Sequence, residues 1–254
     1  MAAHLSLAYD LARRAEGKQR ARLAAAVAEI AGLAAWLHAD LAEPAQARRF
    51  YKMSITAAQQ AQHGLLAIYM QGSFGQYATT VGDPAHGLRL LRDAAALAAL
   101  EAVALGYLGD RAALKVIDDA QRYADASVST DPVWPWVFQF DTSKIASYRA
   151  VAASRLGLAK IAIEAFGQAE ESARSPKQAA IVATEHARAL AAGGHLDRAC
   201  ALALGAYEIG DSYDSERVRQ AVRDFRSGPG TRAPQRLTAE LDERLHSAYT
   251  TRTI

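Results

Sequence analysis

Cysteine is almost missing from this chain: Cys200 stands alone, so no internal disulfide can form. Its neighbours Leu202 and Ala203 place it on an apolar helical face. A small buried hydrophobe is the expected role there, ahead of a nucleophile. Cysteine use of this kind is compatible with a reducing cytoplasm, the expected location. Proline is scarce, with seven in 254 residues, and falls between helical runs or at their starts. An excess of one charge is also lacking: 29 basic residues meet 27 acidic ones, for a formal net charge of +2. The signs are interspersed, as at Arg48-Arg49 and Asp118-Asp119, and no helix carries a dense Lys/Arg stripe. Little here would neutralise a row of phosphates, so direct nucleic-acid binding is not expected. No run of about 18 apolar residues escapes polar interruption, which argues against a membrane span. The segment Met1-Ala2-Ala3-His4-Leu5 is amphipathic and has no signal-peptide core. Period-two alternation is not sustained anywhere, so no strand is assigned.

Half of the residues are apolar, and alanine dominates that half. Such a composition favours long helices packed closely through small side chains. In residues 20–41, Leu23, Val27, Ile30, Leu33, Ala34 and Leu37 recur at helical spacing. Pro44 opens the next helix, which runs to about Gln62 with Phe50, Tyr51 and Ile55 inward and His63-Gly64 as its stop. Further helices are read at 65–81, 84–97, 111–126, 142–156, 158–173, 177–192, 196–209, 215–226 and 237–248. Asp131-Pro132-Val133-Trp134-Pro135-Trp136 and Gly228-Pro229-Gly230 interrupt them. Asp141 or Thr142 is expected to cap the helix that follows the first interruption.

A fixed spacing runs through these helices. Turn signals at Ala42, Gly82, Gly109, Gly157 and Gly194 are followed five positions later by Ala47, Gly87, Leu114, Ala162 and Ala199. Seven positions before the same turns stand Ala35, Gly75, Ala102, Ala150 and Ala187. Small residues at both places let the two helices of a pair approach each other, and only Leu114 departs. The turns are separated by 40, 27, 48 and 37 residues, and 27 is short for a pair that needs about 34. Either one long helix replaces two there, or residues are missing near 97–100, the reading preferred from the sequence.

These positions resemble tetratricopeptide repeats, in which an aromatic follows the second small residue by four. Tyr51 and Phe166 match that position, whereas Leu91, Asp118 and Ala203 do not. A narrower resemblance is carried by residues 131–141 (Asp-Pro-Val-Trp-Pro-Trp-Val-Phe-Gln-Phe-Asp), Tyr148, Arg155-Leu156-Gly157, Ser215-Glu216-Arg217-Val218 and Leu241-Asp242-Glu243-Arg244-Leu245. It is similar to the C-terminal sensor half of actinobacterial helix-turn-helix regulators of the XRE type. Those carry a DNA-binding domain before the repeats, and none is read in this chain. A truncated regulator, a regulator whose domain lies elsewhere, and a stand-alone repeat protein all stay open. The implied fold is all-α: a right-handed superhelical solenoid of about five helix pairs. It forms a single domain over 1–254, with repeats in 20–209 and capping helices in 215–248.

The chemistry-bearing residues do not converge on an enzyme. Among His4, His38, His63, His86, His186, His195 and His246, none has a ligand spacing with acids on one face, so no metal is expected. Gly72-Ser73-Phe74-Gly75 has the wrong spacing for a nucleophile elbow, and Gly193-Gly194 lacks the partners of a phosphate loop. No cofactor and no catalytic residue are assigned. A repeat array binds mainly on the face lined by the first helix of each pair. The spacing puts Trp36, Tyr69, Gln76, Thr79, Lys144, Ser147 and Arg188 there, a mixture suited to a peptide or an acidic small molecule. Core packing would equally account for Trp36 and Tyr69, and exposure to water for Lys144 and Arg188. The aromatic segment with Trp134, Trp136 and Phe138 is either a loop folded over the array or a ligand contact. The resemblance implies a ligand- or peptide-sensing and dimerisation region of a transcriptional regulator. A protein–protein interaction scaffold is the alternative.

Overall fold

The computed structural model describes residues 2–92, 97–126, 142–169, 175–228, 231 and 235–251. Among these there are thirteen helices and no strand. They are α1 (Ala2–Arg14), α2 (Gly17–Asp40), α3 (Pro44–Gln60), α4 (Gly64–Thr80), α5 (Pro84–Arg92), α6 (Ala98–Tyr107) and α7 (Ala112–Ala126). Then follow α8 (Thr142–Arg155), α9 (Ala159–Ala169), α10 (Pro176–Ala192), α11 (Leu196–Ser212), α12 (Glu216–Arg226) and α13 (Gln235–Thr251). The chain is all-α. Trp134, Trp136, Phe138 and the Asp141 cap lie outside the described residues. The described residues separate into two compact units, the first up to Ala104 and the second from Leu105 onward.

One turn is used repeatedly. Ala42, Gln62, Gly82, Gly109, Gly157, Gly194 and Asp214 all take a positive φ. After each, the next amide donates to the carbonyl five residues back: Glu43 to His38, His63 to Ala58, Asp83 to Ala78, Asp110 to Leu105, Leu158 to Ala153, His195 to Leu190 and Ser215 to Gly210. This is the Schellman stop, in which a left-handed residue closes the orphan carbonyls of the helix end. Gly64 was expected to serve as a stop, but it opens α4 instead. Gln62 takes the left-handed position, and His63 caps α4 by accepting the Leu66 amide on Nδ1 at 3.3 Å.

The small residues seat the helices as their spacing indicates. Ala35, Ala102, Ala150 and Ala187 are fully buried, as are Ala47, Ala162 and Ala199. Gly75 and Gly87 meet across α4 and α5: a Cβ on Gly87 would fall 2.6 Å from the Gly75 carbonyl oxygen. At the Gly109 turn the pattern slips by one residue. The Ala113 amide bonds back three residues to Asp110, whereas Ala47, Gly87, Ala162 and Ala199 bond back four. The tighter first turn brings Ala113, not Leu114, into the fully buried small position.

Across the 27-residue spacing the described residues hold α5 up to Arg92 and α6 from Ala98, with 93–96 lying outside them. In α2 the apolar residues at helical spacing divide: Leu33 and Leu37 are 49% and 43% exposed, while Ala24, Ala28, Ala31, Ala34, Ala35 and Ala39 are buried. The alanine face wins the seam because only small side chains let α3 approach closely enough for Ser54 Oγ to donate to the Ala28 carbonyl at 2.6 Å. By length and composition α2 could cross a membrane. Here its small-residue face packs against the first unit's core, which holds Tyr51, Met70, Phe74 and Tyr77.

The second unit has its own core around Phe166, Leu190, Tyr207, Val218 and Phe225. Within it, α6 meets α8 where Gly106 lies against the Ala152 backbone, with an ideal Cβ only 2.9 Å away. Helix α8 packs on α10, and α10 on α12. The first helices of successive hairpins therefore lie side by side, with α9 and α11 behind them in sequence.

Candidate functional site

Within the second unit, the last turn of α6 and helices α8, α10 and α12 come together around a group of polar and charged side chains. Tyr107 ends α6 and Arg155 ends α8, each two residues before the left-handed glycine of its turn. Glu185 and Arg188 lie one turn apart on α10, on the side facing α8 and α12. The last turn of α8 also favours a cation, since the helix carbonyls point there.

Arg155 lies over the Tyr107 ring, 4.0 Å from its centroid, and holds Glu185 by two parallel contacts: Nε to Oε2 at 3.1 Å and Nη2 to Oε1. Such a forked pair is the strong form of a guanidinium–carboxylate contact. Glu185 is buried, at 7% exposure, so its charge must be met by neighbours. Ser154 Oγ donates to the Glu185 carbonyl at 3.4 Å, tying α8 to α10 a second time. Arg188 shares the same carboxylate, its Nε 3.5 Å from Oε1, and donates from Nη2 and Nη1 to the Ala221 and Asp224 carbonyls, both at 3.3 Å. The Arg188 Nε itself makes no hydrogen bond.

The electrostatics follow from one carboxylate serving two guanidiniums. Burial weakens the hold of Arg155 on its proton, but Glu185 and Tyr107 together more than compensate, and the cation is favoured overall. Arg188 ends on the other side. Burial lowers its proton affinity, Glu185 restores only part, and the like charge of Arg155 lowers it further. For Tyr107, burial and then the Glu185 charge push the phenol well above its ordinary range, against Arg155, Arg188 and Arg217. Tyr107 therefore presents a neutral hydroxyl. The cluster is a partly open, cation-rich patch, with the Arg155 and Arg188 side chains 25% and 19% exposed.

Of the residues singled out by sequence, Arg188 belongs to this cluster. Tyr107, Arg155 and Glu185 were missed. Their shared register offered a signal, because Tyr107 and Arg155 stand at equal distance before Gly109 and Gly157. Trp36 and Tyr69 form an edge-to-face pair in the first unit, with centroids 6.1 Å apart, and burial raises the Tyr69 phenol. Both are half-buried beside the core, and Gln76 is half-buried on α4. Thr79 is not open to a ligand: it is buried and its Oγ1 donates to the Gly75 carbonyl at 2.9 Å. Ser147 is likewise buried. Lys144 sits over the Tyr148 ring, 5.3 Å from its centroid.

An open cleft of about 580 Å³ between α7 and α8 is lined by Arg111, Lys115, Asp118, Asp119, Arg122 and Arg149. Its acids are already engaged, Asp118 by Arg149 and Asp119 by Arg122 and Lys115. It does not touch the Arg155–Glu185 cluster. Among the described residues no group of three His, Cys, Asp or Glu side chains could hold a metal. Cys200 is buried, and burial raises its thiol, so the reactive thiolate is disfavoured. No family model, no curated protein and no solved structure matches this chain.

Proposed function

We propose that this chain is a non-enzymatic recognition module of tetratricopeptide type. It serves as the effector-binding and dimerisation region of a transcriptional regulator and works in the cytoplasm. The support is the repeated helical hairpin with its left-handed stop, together with the five-pair sequence spacing, which together suit a right-handed solenoid closed by α12 and α13. The observation that carries the functional reading is the cluster of Tyr107, Arg155, Glu185 and Arg188. It lies across successive first helices, the face on which a repeat array receives its guest. A peptide, protein or small-molecule effector touching α8, α10 and α12 at once would favour one relative placement of these helices. It would shift the population toward that placement in proportion to its differential affinity.

The test is thermal unfolding with a panel of peptides and acidic metabolites. An effector present at about a hundred times its Kd adds about 2.7 kcal/mol. For a chain of this size that raises Tm by about 5 °C or more. The accompanying light-scattering measurement should show a change in dimerisation. A panel that leaves both Tm and mass unmoved removes the reading.

Leu33, Leu37 and Leu41 favour a second reading. Leu33 and Leu37 lie on α2 and Leu41 at its C-cap, four residues apart, and all are exposed. A row of this kind suits a protein partner and hence a plain interaction scaffold. Capture of one defined protein partner, with no small ligand raising Tm, would select this alternative.

A further inference from the structure

We propose that the corner between α1 and α2 docks on an anionic lipid bilayer, lying on the membrane surface without crossing it. The proposal is independent of the recognition reading above and uses a different part of the chain. Arg13 and Arg14 fill the last turn of α1, and Lys18, Arg20 and Arg22 follow in the opening turns of α2. All five are exposed. Residues 1–28 hold these five cations against two acids, Asp10 and Glu16, a larger surplus than the +2 of the whole chain. None of the five side chains joins an ion pair among the described residues. Elsewhere arginine is commonly paired, as in Arg92–Glu101, Arg149–Asp118, Arg223–Glu216 and Arg226–Asp242. Helix stability does not account for the placement either. The first turn of α2 has no acid, and the Glu16 side chain makes no capping bond, whereas a helix N-terminus favours negative charge. No single helix holds the group; the α1–α2 turn assembles it.

A second observation selects lipid over other polyanions. Leu7 and Leu11 are 60% and 45% exposed on α1. With Arg14 they recur at spacings of four and three, on one helical face. That is not the packing face, since Leu5 and Ala8 are the residues that join the first unit's core. A row of nucleic-acid phosphates would engage the cations and leave these leucines in water. At a bilayer the leucines enter the boundary between headgroups and acyl chains. Arg14 then keeps its guanidinium among the lipid phosphates while its stem lies along the apolar layer. Neither signal suffices alone, because two leucines are a weak anchor and exposed cations are screened by salt. An apolar face beside a polybasic patch is the combination that holds a folded domain on an anionic leaflet.

The experiment is co-sedimentation of the full chain with vesicles of phosphatidylglycerol mixed with phosphatidylcholine, beside vesicles of phosphatidylcholine alone. Fluorescence anisotropy with a labelled duplex DNA runs in parallel. Binding to the anionic vesicles at low salt is expected, falling steeply as sodium chloride is added, with little binding to the neutral ones. Each cation near the surface is worth about fivefold in partition. Lys18→Gln combined with Arg22→Gln should therefore weaken binding by about twentyfold. Leu7→Gln combined with Leu11→Gln should weaken it by about tenfold and leave its salt dependence unchanged. All four positions are exposed, so Tm should stay near the wild-type value. Arg20→Gln and Leu7→Ala, each alone, keep both arms of the test open if a double variant fails to fold. No binding to the anionic vesicles overturns the proposal. Equal binding to neutral vesicles does so too, as does vesicle binding that the leucine variants leave unchanged. Duplex DNA bound as tightly as the vesicles, whatever the leucines, assigns the corner to phosphate alone and also overturns it.

Discussion

Gly87 sits where no side chain fits. A Cβ built there would fall 2.2 Å from Thr79 Oγ1 and 2.6 Å from the Gly75 carbonyl, and the second neighbour is backbone that cannot swing away. Gly87→Ala is therefore expected to destabilise the chain by about 1–3 kcal/mol, the usual cost of overpacking, read as a lower midpoint in urea. Gly167 is the control, exposed in α9 with nothing within 4 Å of an added Cβ. Gly167→Ala should stabilise by about 0.5–1 kcal/mol, since alanine loses less backbone freedom in a helix. Equal effects at the two glycines would contradict the packing described. At this scale the small positions were legible in sequence, because spacing alone marked Gly75 and Gly87. The partners of Arg155 were not: Glu185 lies 30 residues away, and nothing local announces an ion pair formed between neighbouring hairpins.

At the scale of the element, the recurring turn decides where each helix stops. Glycine fills the left-handed position at 82, 109, 157 and 194, but Ala42, Gln62 and Asp214 fill it elsewhere, with φ of 57°, 55° and 46°. A side chain in that region is strained by about 1 kcal/mol. Ala42→Gly should relieve this and, after the added freedom of the unfolded chain, raise stability by up to about 1 kcal/mol. Gly82→Ala should lower it by a similar amount, with no steric clash to complicate the comparison, since nothing lies within 4 Å of its Cβ position. Thermal unfolding of both variants checks the sign. Most helices and their stops were legible because caps and breakers act locally, although α1 and α6 were not read as helices of their own. The choice of face in α2 was not. Leucine and alanine stripes share one period, and only the presence of α3 makes the small stripe the buried one. The slip at Ala113 was equally hidden, since a first turn bonded to the third residue back leaves no mark in composition.

For the molecule as a whole, each of the two units holds its own hydrophobic core, Met70 and Phe74 in the first and Phe166, Leu190 and Phe225 in the second. Stability in stacked helical hairpins is built from local and nearest-neighbour terms, so the units should open with separate free energies. Hydrogen exchange on the Gly87→Ala variant provides the check. Amide protection should fall in α3–α5 and stay unchanged in α10–α12. A uniform fall across all helices would show one cooperative structure instead.

The sequence by itself determined the helical class, the turns at Ala42 and the four left-handed glycines, and most of the small contact residues. These depend on propensity, caps and spacing within about twenty residues, interactions that one stretch of chain makes with itself or its neighbour. The tertiary structure alone decided which stripe of α2 is buried, that Thr79 and Ser147 are closed to a ligand, and that Tyr107, Arg155, Glu185 and Arg188 meet. Those outcomes depend on which helices lie side by side. Burial then couples their charges, so that one buried carboxylate serves two guanidiniums.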